Sequence, residues 1–245
     1  IPTRTSHFSP STSRGPRSTA ARTSRAGVDS HRQRITPSSA SEANPGGILA
    51  IGGDLSVPRL LLSYRSGIFP WSVNPITWWS PNPRAIFEFE RFRAPRSLRK
   101  TVRRGTFEIS ADCVFRRVME GCASGRLEGN WICPEFVDAY TQLHKAGHAH
   151  SLECWQSGQL AGGIYGVAIG GFFAGESMFH RAGDASKVAL YHLIQRLRAR
   201  GFALFDIQML TPITERLGAV TISRDEYLKR LETALHLPAP FGPAG

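Results

Sequence analysis

A single carboxylate, Glu176, stands in the apolar and glycine-rich run GGFFAGESMFH, residues 170–180. Its neighbours read as a buried strand, and a buried charge needs partners or a chemical use. A second polar pair, Asp206 and Gln208, stands in LFDIQML. The strand period of two puts these two on one face, with Phe205, Ile207 and Met209 on the other. Two polar groups aimed together near a buried carboxylate suit proton movement and orientation of a nucleophile. The same pair would also suit a strand whose one face is simply wet.

Other residues offer binding chemistry. Trp71, Trp78, Trp79 and Trp131 present faces on which nucleobases stack, at about 1–3 kcal/mol each; alternatively they plug a small core. Beside them runs a basic stretch, Arg91, Arg93, Arg96, Arg99, Lys100, Arg103 and Arg104. It can track phosphates or form a solvated face. His144, His148 and His150 raise a metal reading, but Gly147 ends their helix and no carboxylate or Cys lies at ligand spacing, so no metal is expected. GGIYGVAIGG lacks a GxGxxG opening into a helix, which argues against a dinucleotide site; its glycines are expected to let a ligand approach the sheet.

These residues need a scaffold, and 245 residues with 41% hydrophobic composition suffice for one large domain or two modest ones. The net charge of +11 favours an acidic partner such as nucleic acid or an anionic membrane. Much of it is local: residues 1–44 carry seven Arg against Asp29 and Glu42, are rich in Ser, Thr and Pro, and are expected to be disordered. That composition also suits a transit peptide, or a translated stretch upstream of the true start, since the chain begins with Ile1. No apolar run suggests a membrane span or secretion, so a cytoplasmic protein is expected. Four cysteines without a CxxC pair read as reduced thiols.

Along the chain, a short helix is expected from Val57 to Ser66, stopped by Gly67. The four prolines of FPWSVNPITWWSPNPR argue for irregular loops holding the Trp rings, and a domain boundary falls near Pro83. A strand follows from Ala85, then helices over Ala111–Ala123 and Pro134–Lys145. Ser157-Gly158 marks a hairpin turn in an antiparallel meander, followed by a helix from Ser186 to Arg200, the strand FALFDIQML and a helix from Arg224 to His236. This order is α+β, with helices covering an antiparallel or mixed sheet.

Five blocks in sequence, GGDLSVPRLLLSYRSGIFPW, WWSPNPRAIF, EGNWICPEFVDAYTQLHKAGHAHSLECW, GGIYGVAIGGFFAGESMFHRAGDASKVAL and FDIQ, resemble the leucyl/phenylalanyl-tRNA-protein transferase family over about Pro45 to Leu235. The resemblance implies residues 45–83 as a small N-terminal domain, 84–236 as a domain like the GCN5-related acetyltransferases (GNAT-like), and 237–245 as a tail. It implies transfer of Leu or Phe from aminoacyl-tRNA to proteins beginning with Lys or Arg, marking them for N-degron degradation, with Met a further donor and without cofactor, metal or membrane. The partners implied are Leu-tRNA and Phe-tRNA, through the 3′ aminoacyl-adenosine and acceptor stem. Asp206, Gln208 and Glu176 match the family's catalytic positions. Trp71 and Trp131 match aromatics around the adenosine, and Ile164, Phe173, Gly175, Met178, Leu190 and Leu193 match the pocket for the amino-acid side chain. On this resemblance Gln208 orients the amine through its carbonyl, Asp206 polarises it or binds the acceptor's cationic side chain, and Glu176 holds the donor's α-amino group or a sugar hydroxyl. Departures from the family pattern are Ile207 for a usual Cys, Ile213 for a frequent His, and Ile164 for Met. The rival readings are another GNAT-like acyltransferase and a non-enzymatic RNA-binding module.

Overall fold

The computed structural model describes residue 43, residues 46–124 and residues 132–242. Apart from Ala43, the basic segment 1–44 lies outside the described residues, and so does Trp131.

Ser157 and Gly158, with φ of 50° and 72°, make the expected two-residue turn, a backbone twist that matches paired strands. In chain order the elements are β1 (Ile48–Ile51), α1 (Val57–Arg65), β2 (Phe69–Val73), β3 (Ile76–Trp79), β4 (Arg84–Phe87), α2 (Arg96–Arg103), β5 (Glu108–Ala111) and α3 (Phe115–Ser124). They continue with α4 (Pro134–Lys145), β6 (Ala149–Gln156), β7 (Gln159–Ile169), β8 (Phe172–His180), α5 (Ala185–Ala199), β9 (Leu204–Gln208), α6 (Pro212–Arg216), β10 (Ala219–Ile222) and α7 (Arg224–Leu235). β1, β3 and β2 form a small sheet, and a seven-stranded sheet runs β10-β4-β9-β8-β7-β6-β5. The meander β5 to β8 is antiparallel; α5 then carries the chain back so that β9 lies parallel to β8, making the sheet mixed. The α+β class is therefore as expected. Among the described residues no helix is long and apolar enough to cross a membrane.

The sheet is covered on both faces. Phe172 and Ala174 of β8 join one apolar cluster with Tyr64, Val118, Tyr140 and Tyr227 of α1, α3, α4 and α7. Phe173 between them joins another with Leu98, Leu190 and Leu193 of α2 and α5. The glycines of β7 serve this packing rather than a ligand: a Cβ at Gly162 would lie 2.7 Å from that of Ala185 in α5, and one at Gly163 3.2 Å from Val118 in α3. That corrects the expectation of a ligand close to these glycines.

The proline-rich stretch is also corrected. Instead of irregular loops it forms the β2–β3 hairpin, with Trp78 buried and its indole donating to the Gly52 carbonyl at 2.8 Å. β2 is an edge strand, where a missing N–H costs little, and the pairing shifts register between Pro70 and Ser72. Residues 111–114 are not helical as expected; Ala111 ends β5, and α3 begins at Phe115. The basic run contains α2, anchored by the buried Leu98, with all its cations exposed.

At the sheet's centre a Cβ on Gly166 would sit 2.2 Å from the Ala174 carbonyl and 2.5 Å from the Phe173 ring. Gly166→Ala is expected to destabilise the fold by about 3 kcal/mol through overpacking, read as a lower urea midpoint at unchanged slope.

Candidate active site

The parallel pairing of β8 and β9 ends at Ala174 opposite Asp206. Immediately beyond, both strands are bulged. On β8, Ser177 pairs with Tyr165 and Gly175 with Gly166, so Glu176 is the residue in excess. On β9, Asp206 pairs with Ile86 and Gln208 with Ala85, which leaves Ile207 in excess, and Gln208 has φ of 56°. The two strands part at this level and a cavity opens between them.

The cavity has two adjoining hollows that share Glu176, Ile207, Gln208, Met209 and Thr211. One, of about 170 Å³, adds Phe69, Pro70 and Trp71 from β2. The other, of about 140 Å³, adds Ile164, Gly175, Met178 and Leu190 together with Phe87 and Phe205. Most of the residues singled out in the sequence thus share one opening. Phe173 and Leu193 do not line it; they stand one layer back in the apolar cluster that contains Leu190.

Asp206 does not line it either. The expected common face of Asp206 and Gln208 rests on a strand period of two, and the bulge at Ile207 with the left-handed Gln208 breaks that period. Asp206 is fully buried behind the cavity, where its Oδ1 accepts from Arg84 Nε at 2.9 Å and its Oδ2 from Arg84 Nη2 at 2.6 Å. Tyr227 donates to the same Oδ2 at 3.0 Å, and the Gln208 backbone N–H donates to Oδ1 at 2.9 Å. Arg84, equally buried, also donates from Nη1 to the Gly67 carbonyl at 3.1 Å, and its guanidinium lies over the Tyr227 and Phe69 rings at 4.3 and 4.9 Å. Burial by itself would loosen the Arg84 proton, but the Asp206 carboxylate outweighs it, so the charged form is held more firmly than usual.

Glu176 faces the cavity. Gln208 Nε2 donates to its Oε1 at 3.1 Å, and the nearby Tyr64 hydroxyl favours its charged form. The Tyr64 and Tyr140 hydroxyls meet at 2.5 Å. Either hydroxyl can be the donor in that hydrogen bond. Burial raises both phenols well above their ordinary range, and the nearby Glu176 adds to this, so they act as donors. Burial also pushes Glu176 up to about 8, against the influence of the Tyr64 hydroxyl, with the Asp206 charge adding to the rise and Arg84 and Gln208 opposing it. The arrangement thus holds a carboxyl group that can take or release a proton near neutrality, next to an amide whose oxygen is free of Glu176. Arg84, Tyr64, Tyr140 and Tyr227 were not picked out in the sequence. Their signal is long-range: Arg84 and Asp206 are 122 residues apart, and Tyr64 and Tyr140 are 76.

Two family models match the chain, one described as leucyl/phenylalanyl-tRNA protein transferase over residues 86–232 and one as the N-terminal domain of that transferase over residues 53–82. The leucyl/phenylalanyl-tRNA–protein transferase of Solidesulfovibrio magneticus is 51% identical over 197 residues, 78% of this chain and 80% of that protein. Its counterpart in Magnetococcus marinus is 49% identical over 211 residues, 83% of this chain and 90% of that protein. Among solved structures, a GCN5-related N-acetyltransferase from Kribbella flavida is similar with a TM-score of 0.38 and 12% identity, over 66% of this chain and 60% of that one. L-PGS from Bacillus licheniformis is similar with a TM-score of 0.39 and 12% identity, over 64% and 51%.

Arg84→Met, which strands the Asp206 charge, is expected to cost about 4 kcal/mol of stability, and pairing it with Asp206→Leu to recover most of that loss. Urea unfolding of the two singles and the double gives the coupling directly.

Proposed function

The chain belongs to the leucyl/phenylalanyl-tRNA protein transferase family, and we propose that its cavity transfers Leu or Phe from aminoacyl-tRNA to the α-amine of a protein beginning with Lys or Arg. The observation that carries the site assignment is the pair of hollows, one aromatic and one apolar, meeting at Glu176 and Gln208. The aromatic hollow takes the terminal adenosine against Trp71, with Trp131, outside the described residues, as the second aromatic. The apolar hollow takes the amino-acid side chain. Its volume of about 140 Å³ is close to the roughly 150 Å³ that holds a benzene ring. Burying a Leu or Phe side chain there gains about 1.5–3 kcal/mol; unbranched, polarizable Met fits the same space. The exposed cations of α2 contact acceptor-stem phosphates.

The donor ester already stores the energy for the new amide, so alignment and proton handling suffice. The acceptor nitrogen attacks the ester carbonyl carbon, the C–N bond forms and the C–O bond to the ribose breaks. Glu176 takes the proton of the attacking amine and returns it to the departing ribose oxygen. Gln208, whose amide nitrogen is given to Glu176, accepts an N–H of the amine through its oxygen. Asp206 acts through Gln208, by fixing its backbone, and does not touch substrate. The modified proteins enter N-degron degradation in the cytoplasm, where charged tRNA is made.

Phe-tRNA carrying radiolabelled Phe is expected to label a peptide beginning with Arg and not one beginning with Ala. No label in the Arg peptide overturns the transferase reading, while equal label in both overturns only the acceptor preference. Glu176 must be ionised to act, so kcat/KM climbs as pH rises towards about 8 and levels above it. The acceptor amine must lose its proton over a similar range, near pKa 7.7–8.0. Log kcat/KM is therefore expected to rise with a slope approaching about 2 at low pH, and about 1 in Glu176→Gln, with activity at least about 100-fold lower. An unchanged slope and rate in that variant removes Glu176 from the proton's path.

A further inference from the structure

We propose that Asp112, His144 and His150, which lie outside the cavity, bind a divalent transition metal of the Zn²⁺ or Co²⁺ kind. One ligand atom from each of the three lies within 4.8 Å of the others. His150 Nδ1 is 2.8 Å from Asp112 Oδ2 and His144 Nδ1 is 3.9 Å from Asp112 Oδ1. These separations bracket the roughly 3.3 Å between neighbouring ligands of a tetrahedral ion with bonds near 2.0–2.1 Å. His144 Nδ1 also lies 2.7 Å from the Ala149 carbonyl, which can only accept, so without an ion this nitrogen carries the hydrogen and donates it there. Two imidazoles and one carboxylate suit zinc or cobalt better than magnesium or calcium, which prefer all-oxygen shells.

The ligands are held before any ion arrives. His144 stacks flat on Phe115 with centroids 4.4 Å apart, and His150 stacks on Phe241 at 4.3 Å. The Ser151 backbone N–H donates to Asp112 Oδ1 at 2.9 Å, and Asp112 itself stands at φ of 60°, a left-handed conformation that a side-chain-bearing residue rarely adopts. Arg196, the cation whose field reaches Asp112, is tethered by hydrogen bonds to the carbonyls of Phe241 and Gly242. Each imidazole needs its hydrogen on Nε2 to present Nδ1, a change of tautomer that leaves the net proton count alone. Partial exposure of all three side chains gives an ion a way in.

Such an ion would pin the last turn of α4 to the ends of β5 and β6. His144 lies one helical turn from Tyr140, so the clamp bears on the helix that supports Tyr64 and Glu176.

EDTA-treated full-length protein is titrated with Co²⁺ by visible absorption and with Zn²⁺ by calorimetry, and melting is followed with and without Zn²⁺. Expected are about one ion per chain, imidazole–carboxylate cobalt bands, and a higher melting temperature with Zn²⁺. Asp112→Asn and His150→Gln are expected to weaken Zn²⁺ binding by more than about 100-fold and to abolish the thermal shift. Where either variant fails to fold, His144→Gln carries the same test. No uptake by the wild-type chain, uptake undiminished in the variants, or an intense thiolate–cobalt band overturns the proposal.

Discussion

The buried ion pair between Arg84 and Asp206 is the contact on which the cavity depends. Removing two charges from water costs several kcal/mol per ion, and such a pair persists only when its remaining hydrogen-bonding capacity is met. Here it is met by Tyr227, the Gly67 carbonyl and the Gln208 backbone N–H. The same bonds join the turn after α1, the start of β4, the end of β9 and the first turn of α7. Among those attachments the one to Gln208 matters most for chemistry. It holds a non-glycine residue at a positive φ, and that conformation turns the Gln208 side chain into the opening.

Two carboxyl groups in one small region receive opposite treatment. Asp206 is given a guanidinium; Glu176 is given only phenol and amide donors, while burial works against its charge. Environment thus separates their charge states: Asp206 is locked as an anion, while Glu176 can take up or release a proton near neutrality. The tyrosines extend this division, because Tyr64 and Tyr140 link Glu176 to α1 and α4 without supplying a positive charge.

Local pattern made much of the scaffold legible. The Ser157-Gly158 turn, α4 from Pro134 to Lys145 and the start of α7 at Arg224 arise from turn residues, a first-turn proline and helical periodicity. Glu176 was legible because a carboxylate in an apolar run is costly. Arg84 was not, since an arginine heading a strand after prolines reads as surface charge until Asp206 is folded against it. The shared face expected for Asp206 and Gln208 failed for a related reason: bulges leave no mark on an alternating pattern, yet one extra residue turns every later side chain to the opposite face. Tolerance of proline at a sheet edge hid the β2–β3 hairpin. Asp112, which lies beside His144 and His150, follows the end of a different strand, so local spacing could not show that the three meet.

Glu176 occupies the surplus position of a bulge, outside the cross-strand partnership of Tyr165 with Ser177 and Gly166 with Gly175. The side chain there has no counterpart across the ladder with which its size must be matched. The side chain at this one spot can therefore be exchanged while the pleat on either side keeps its composition. The fold thus offers a replaceable side chain at the cavity's edge on a constant frame.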